Sequence, residues 1–198
     1  MLSSITPLGE RGRQNRWGVT AMAHVLASAL GGALVGGALG SLGWVIDRWL
    51  DPSTTMVALL AAIVCCVGLA SDVGIGGFRL PSWHRQVNED WMARYRGWVY
   101  GAGFGFQLGM GVATIVTTGA VYVTFAFALL SGTPATGAII GCTFGLVRGM
   151  TVLATVRLGE PSELRRFHRR LQETAPTARH ATVGVLAVAA IVLFGSVA

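Results

Sequence analysis

The chain has 198 residues, 53% of them hydrophobic and only 12% charged, with a formal net charge of +6. Soluble domains carry about 25% charged residues, so a water-soluble globule is excluded, and the long apolar runs read as bilayer spans rather than core helices. All 15 cations are arginine and they cluster between the apolar runs, which argues for membrane topology and against a nucleic-acid-binding face.

Met1–Arg16 is polar and lacks the apolar core of a cleavable signal peptide. Five transmembrane helices are then predicted, over about 17–46, 55–71, 99–130, 136–156 and 181–198, in a single all-α membrane domain. The first and third exceed the roughly 20 residues a bilayer needs, so they must tilt, kink or extend beyond it. The segments outside and between the spans hold, in order, three, one, four, zero and six arginines. The positive-inside rule therefore predicts a cytoplasmic N-terminus and an external C-terminus in the cytoplasmic membrane of a bacterium.

Two of the arginine-bearing connections are patterned as helices lying on the membrane. Over 82–97, Trp83, Val87, Trp91 and Tyr95 recur every fourth residue, with Arg85, Glu89, Asp90, Arg94 and Arg96 between them. Over 162–173, Leu164, Phe167 and Leu171 share a face opposite Arg165, Arg166, Arg169 and Arg170, with Ser162 as a candidate N-cap. Such a basic face is expected to attract anionic lipid on the cytoplasmic side, at about 1 kcal/mol per arginine.

The 28 glycines are concentrated in GGALVGGALG (31–40), YGAGFGFQLGMG (100–111) and GAIIGCTFGLVRGM (137–150). Small residues at spacings of three to five let helix backbones approach closely in lipid. Thr114, Thr117 and Thr118 follow a glycine-dense stretch, which predicts a third span that is irregular or broken near mid-membrane, against protein or a water-filled cavity.

Residues 104–157 resemble the second half of the membrane electron-transfer proteins of cytochrome c biogenesis and thiol–disulfide interchange, the CcdA–DsbD family. Phe106, Leu108, Gly109, Gly119, Ser131-Gly132 and Gly145-Leu146 fall on that family's frame. The resemblance implies a core of two inverted three-helix repeats, here reduced at the N-terminus, where Thr6-Pro7 is at most a remnant. It also implies a pair of redox cysteines in Pro-Cys motifs, but Val112-Ala113 stand at the matching position. A family-type cysteine relay is therefore not expected, and what remains is a fold that moves a small solute or anion across the membrane.

The three cysteines, Cys65, Cys66 and Cys142, lie in apolar runs. Neighbours on a helix point about 100° apart, and thiols without a nearby cation behave as small hydrophobes, so packing is favoured over redox chemistry. His24 is the one histidine within a span and no ligand cluster accompanies it, so neither metal nor cofactor is expected. Arg148 stands out, because a charge within a span costs about 2.5–3.5 kcal/mol on insertion scales and marks a functional site by default. It is either a pathway residue, with Gln107, Thr114, Thr117 and Thr118, or a structural arginine satisfied by carbonyls or snorkelling. The reading that follows is a non-enzymatic transporter, with a homodimer or partner membrane protein. The alternative is a non-transporting subunit or assembly factor of a larger membrane complex.

Overall fold

A computed structural model describes residues 5–77, 94–111, 118–156 and 160–197. Every regular element among them is helical: α1 (Pro7–Gly12), α2 (Trp17–Leu50), α3 (Thr54–Val73), α4 (Gly97–Gly109), α5 (Ala120–Leu130), α6 (Pro134–Met150) and α7 (Pro161–Gly195), with 3-10 turns at Ile75–Gly77 and Thr151–Thr155.

Local chemistry sets the boundaries. The Ser53 hydroxyl accepts from the Met56 amide at 3.2 Å at the start of α3. Thr133 does the same for Thr136 at 3.3 Å, with Pro134 in the first turn of α6. A reciprocal capping box between Glu160 and Glu163 opens α7. Asp51, in the left-handed region ahead of Pro52, closes α2, and Gly74 at φ +76° closes α3.

Among the described residues, four segments are long and apolar enough to cross a bilayer: α2, α3, α6 continued by its 3-10 turn, and Ser162–Gly195 of α7. One feature matches the irregular third span expected from the sequence, and another differs. The segment 99–130 forms two helices, α4 and the 11-residue α5. After α4 the chain turns through Gly111 at φ +72°, a conformation that costs glycine nothing. The segments 162–173 and 181–198 are not separate, since α7 runs through both as one 35-residue helix with Pro176 inside it. An interior proline removes one backbone hydrogen bond and bends a helix, but it does not end this one. The stripe over 82–97 falls mostly on residues outside those described.

Helix α2 is the axis of the bundle. Along one face, an added Cβ at Gly32, Gly36 or Gly40 would strike the backbone of Gly141, Gly137 or Thr133, and reciprocally for Gly137, Gly141 and Gly145. This matched register places α6 antiparallel to α2 with backbones in contact. Along a second face, Thr20, His24 and Ser28 present their carbonyls to Gly101, Gly105 and Gly109, so α4 runs parallel to the first half of α2. Gly43 meets the Leu129 carbonyl, which sets α5 beside the second half. Away from this seam, Cys65 of α3 is buried with Val123 of α5 and Leu186 and Ala190 of α7.

Candidate functional site

Among the described residues, two knots of hydrogen bonds join helices through the buried carboxylates of Glu10 and Asp72. The first closes one end of the bundle. Thr6 caps α1, accepting from the Gly9 amide at 3.1 Å, with Pro7 in the first turn. Thr6-Pro7 is therefore a helix start, a sufficient reason for that dipeptide. Helix α1 carries Glu10 into full burial, between α2 and α4. Its carboxylate accepts from the Thr20 hydroxyl at 3.0 Å and from the Tyr100 hydroxyl. Arg13 pairs with it at 3.3 Å, while its guanidinium carbon stands 5.9 Å from the Tyr100 ring centroid. Ile5, Ala21, Tyr100, Phe104 and Val152 pack around the knot, and the Thr155 hydroxyl donates to the Ile5 carbonyl at 3.2 Å. A buried carboxylate persists only when partnered in this way.

The second knot lies where α4 gives way to α5. Asp72, in the last turn of α3, is buried. Its carboxylate accepts from the Thr118 hydroxyl at 2.5 Å and the Gly119 amide at 2.6 Å. Gly119 is the N-cap of α5, so the acid complements the positive end of that helix dipole. From α7, Arg179 donates through Nε at 2.8 Å and through Nη2 to the Asp72 carbonyl, supplying a donor to an acceptor that α3 itself leaves open. One residue thus joins α3, α5 and α7.

The residues singled out in the sequence separate in space. Thr118 belongs to the Asp72 knot. Arg148 lies in the last turn of α6, where a cation complements the helix dipole. Its guanidinium carbon is 5.3 Å from the Phe144 centroid, and Phe144 meets Phe125 edge-on at 5.1 Å. Gly111 approaches both rings so closely that a Cβ would clash. Gln107 is half-buried on α4. Thr114 and Thr117 lie outside the described residues. His24 is buried, with Nδ1 3.3 Å from the Gly101 carbonyl. Cys65 is buried, Cys66 exposed and Cys142 half-buried, none in a disulfide. Among the described residues no three His, Cys, Asp or Glu side chains gather as a metal site. Sequence reasoning singled out neither Glu10 nor Asp72, whose burial depends on donors from other helices.

These features define a polytopic helical membrane protein with glycine-seamed helices and buried polar knots closed by the chain's own groups. No family model matches the chain, and no solved structure matches it. The chain is similar to the methylamine utilization protein MauF of several bacteria. It is 34% identical to that of Methylobacillus flagellatus over 155 residues, 76% of this chain and 54% of the relative. It is 30% identical to that of Methylophilus methylotrophus over 181 residues, 88% and 61% of the two chains. With the Paracoccus denitrificans protein it shares 28% over 195 residues, 96% and 70%. The chain spans about half to three fifths of the length of the first two relatives.

These similarities overturn the CcdA–DsbD resemblance and the transporter reading drawn from it. The physical reason is visible in the seams: glycines every fourth residue are what close antiparallel or parallel helix contact requires in any membrane bundle. The shared frame of Gly109, Gly119 and Gly145 therefore reports packing and not descent. The reduced inverted repeat rested on that resemblance and goes no further.

Proposed function

We propose that the protein is a non-enzymatic membrane component of methylamine utilization, serving as a subunit or assembly factor of a larger membrane complex. The observation that carries this reading is the similarity to MauF over three quarters or more of the chain. The character of the interior supports it. Glycine seams fill the α2–α6 and α2–α4 contacts, and both buried carboxylates are satisfied within the chain, which suits a rigid anchor more than a site of turnover. In this reading α4 and α5 together make a third crossing, giving five. The N-terminus then faces the cytoplasm and the C-terminus the exterior of a bacterial cytoplasmic membrane.

The test is deletion of the gene in its own host, with growth compared on methylamine and on a substrate that needs no amine metabolism. Selective loss of growth on methylamine, restored by the intact gene, is expected. Equal growth on both would overturn the proposal.

A further inference from the structure

The end of the bundle where α2 and α4 begin carries positive charge that the Glu10 knot leaves unused. Three side chains converge on Gly97, the first residue of α4. A Cβ there would lie 2.5 Å from Oγ1 of Thr20 and 3.0 Å from both Cγ of Asn15 and Oε2 of Glu10. Glu10, Asn15 and Gly97 each have an arginine as chain neighbour: Arg11, Arg16 and Arg96. Packing at one glycine therefore gathers three cations from two distant stretches of the chain. All three are exposed, and among the described residues none of them pairs with a carboxylate. Within 5–20 and 94–100 the one acid is Glu10, which is buried and holds Arg13. Like charges brought together without a counter-ion repel, and an anion from outside relieves the repulsion. The backbone adds to the same field. Arg16 and Arg96 are the N-caps of α2 and α4, and neither helix has a side-chain cap or an acid in its first turn.

The surroundings select the anion. Val19, Met22 and Leu26 share one face of α2 and are 52%, 64% and 60% exposed, and Trp98 on α4 is 53% exposed. Helix α2 is long and apolar enough to cross a bilayer, so these exposed side chains meet acyl chains, and a tryptophan at a helix start sits at the membrane–water interface. Arg16 precedes Val19 by three residues, about one turn, and Arg96 precedes Trp98 by two. This local spacing alone puts cations beside the lipid-facing surface. A phospholipid matches both features, with its phosphate on the guanidinium groups and a chain along the apolar face. An acidic surface on a soluble protein matches the charge and leaves the apolar face without a partner.

We propose that Arg11, Arg16 and Arg96 form a headgroup site for an anionic phospholipid of the surrounding bilayer, with its acyl chain along Val19, Met22 and Leu26.

The test offers the full chain, purified in mild detergent, equal amounts of phosphatidylglycerol and phosphatidylcholine, and reads the retained lipid by native mass spectrometry. The wild type should retain phosphatidylglycerol in preference, and R11Q/R16Q/R96Q should lose that preference about tenfold or more. Equal preference in the two proteins overturns the site. The variant R165Q/R166Q/R169Q removes the same charge from α7 and should keep the preference. A loss there as large as in the first variant shows that retention follows net charge, and the site fails.

The replaced side chains are exposed and cap no helix, so thermal unfolding should be unchanged. Should the triple variant nevertheless unfold, the otherwise intact chain decides through a photo-crosslinking residue at position 16 in host membranes. A phospholipid adduct supports the site, and adducts to protein alone overturn it. The inference goes beyond the methylamine reading and does not need it: normal growth of the deletion strain removes that reading, whereas only the lipid and adduct measurements judge the headgroup site.

Discussion

The two sides of the bundle are held by different physics. On the side of α2, α4 and α6, backbone meets backbone: an added Cβ at Gly32, Gly36, Gly105, Gly109 or Gly141 would overlap a neighbouring carbonyl. On the side of α3, α5 and α7, side chains fill most of the space, with Cys65, Val123, Leu186 and Ala190 as its core; backbones meet at Gly68 and Gly119, beside the carboxylate of Asp72, which fixes the helix ends. The contrast shows how a membrane bundle manages without a strong hydrophobic drive between helices. Close approach supplies contact along one seam, with the Glu10 knot at its end, and side-chain packing with the Asp72 hydrogen bonds supplies position along the other.

That comparison can be broken most forcefully at the seam. Gly141→Leu should cost about 3 kcal/mol or more, since two helix backbones must separate and no flexible side chain can yield. Thermal unfolding of the detergent-solubilised protein, followed by tryptophan fluorescence, should show loss of the cooperative transition. Next is Glu10→Ala, which removes a buried acid and leaves Tyr100, Thr20 and Arg13 without their acceptor, at about 3 kcal/mol. Tyr100→Phe, which keeps the ring, should cost about 1–2 kcal/mol in the same assay.

The other side should respond more mildly. Asp72→Ala strips the cap from α5 at about 1–2 kcal/mol, and hydrogen exchange should rise first at the start of that helix. Arg179→Met should cost about 1 kcal/mol, by removing the donor to the last turn of α3. Smallest of all is Gly184→Ala on α7, where a Cβ meets nothing within 4 Å. It should be neutral or stabilising by up to about 1 kcal/mol. A loss of stability there comparable to that of Gly141→Leu would remove the distinction between seam glycines and free ones.

How far the sequence could be read follows from the range of each interaction. Helix starts at Ser53 and Thr133 are local signals, and so is the turn at Asp51-Pro52, whereas α7 is capped by Glu160 and not by Ser162, the N-cap candidate read in the sequence. Thr6-Pro7 was equally legible as an N-cap with proline in the first turn, but a supposed family motif drew attention from it. The break between α4 and α5 could be anticipated from glycine density and the threonines, whereas its outcome in the Asp72 knot could not. Thr118 was singled out for its position in a span, and its partner lies 46 residues away in the chain. Arg148 drew notice as a charge within an apolar run. Its place in the last turn of α6, against Phe144, depends on where that helix ends. The basic segment over 162–173 and the final span over 181–198 read as separate in the sequence, and only the folded chain runs one helix through both, with Pro176 as an interior position.

Composition and periodicity by themselves determined that the chain is an all-helical membrane protein with small-residue seams, because hydropathy and spacing act within a single helix. Which glycine faces which carbonyl, and that Glu10 and Asp72 are buried at all, only the tertiary structure decided. A carboxylate's burial depends on donors brought from distant helices, here Tyr100 for Glu10 and Gly119 for Asp72, and no local pattern encodes a partner that arrives by packing.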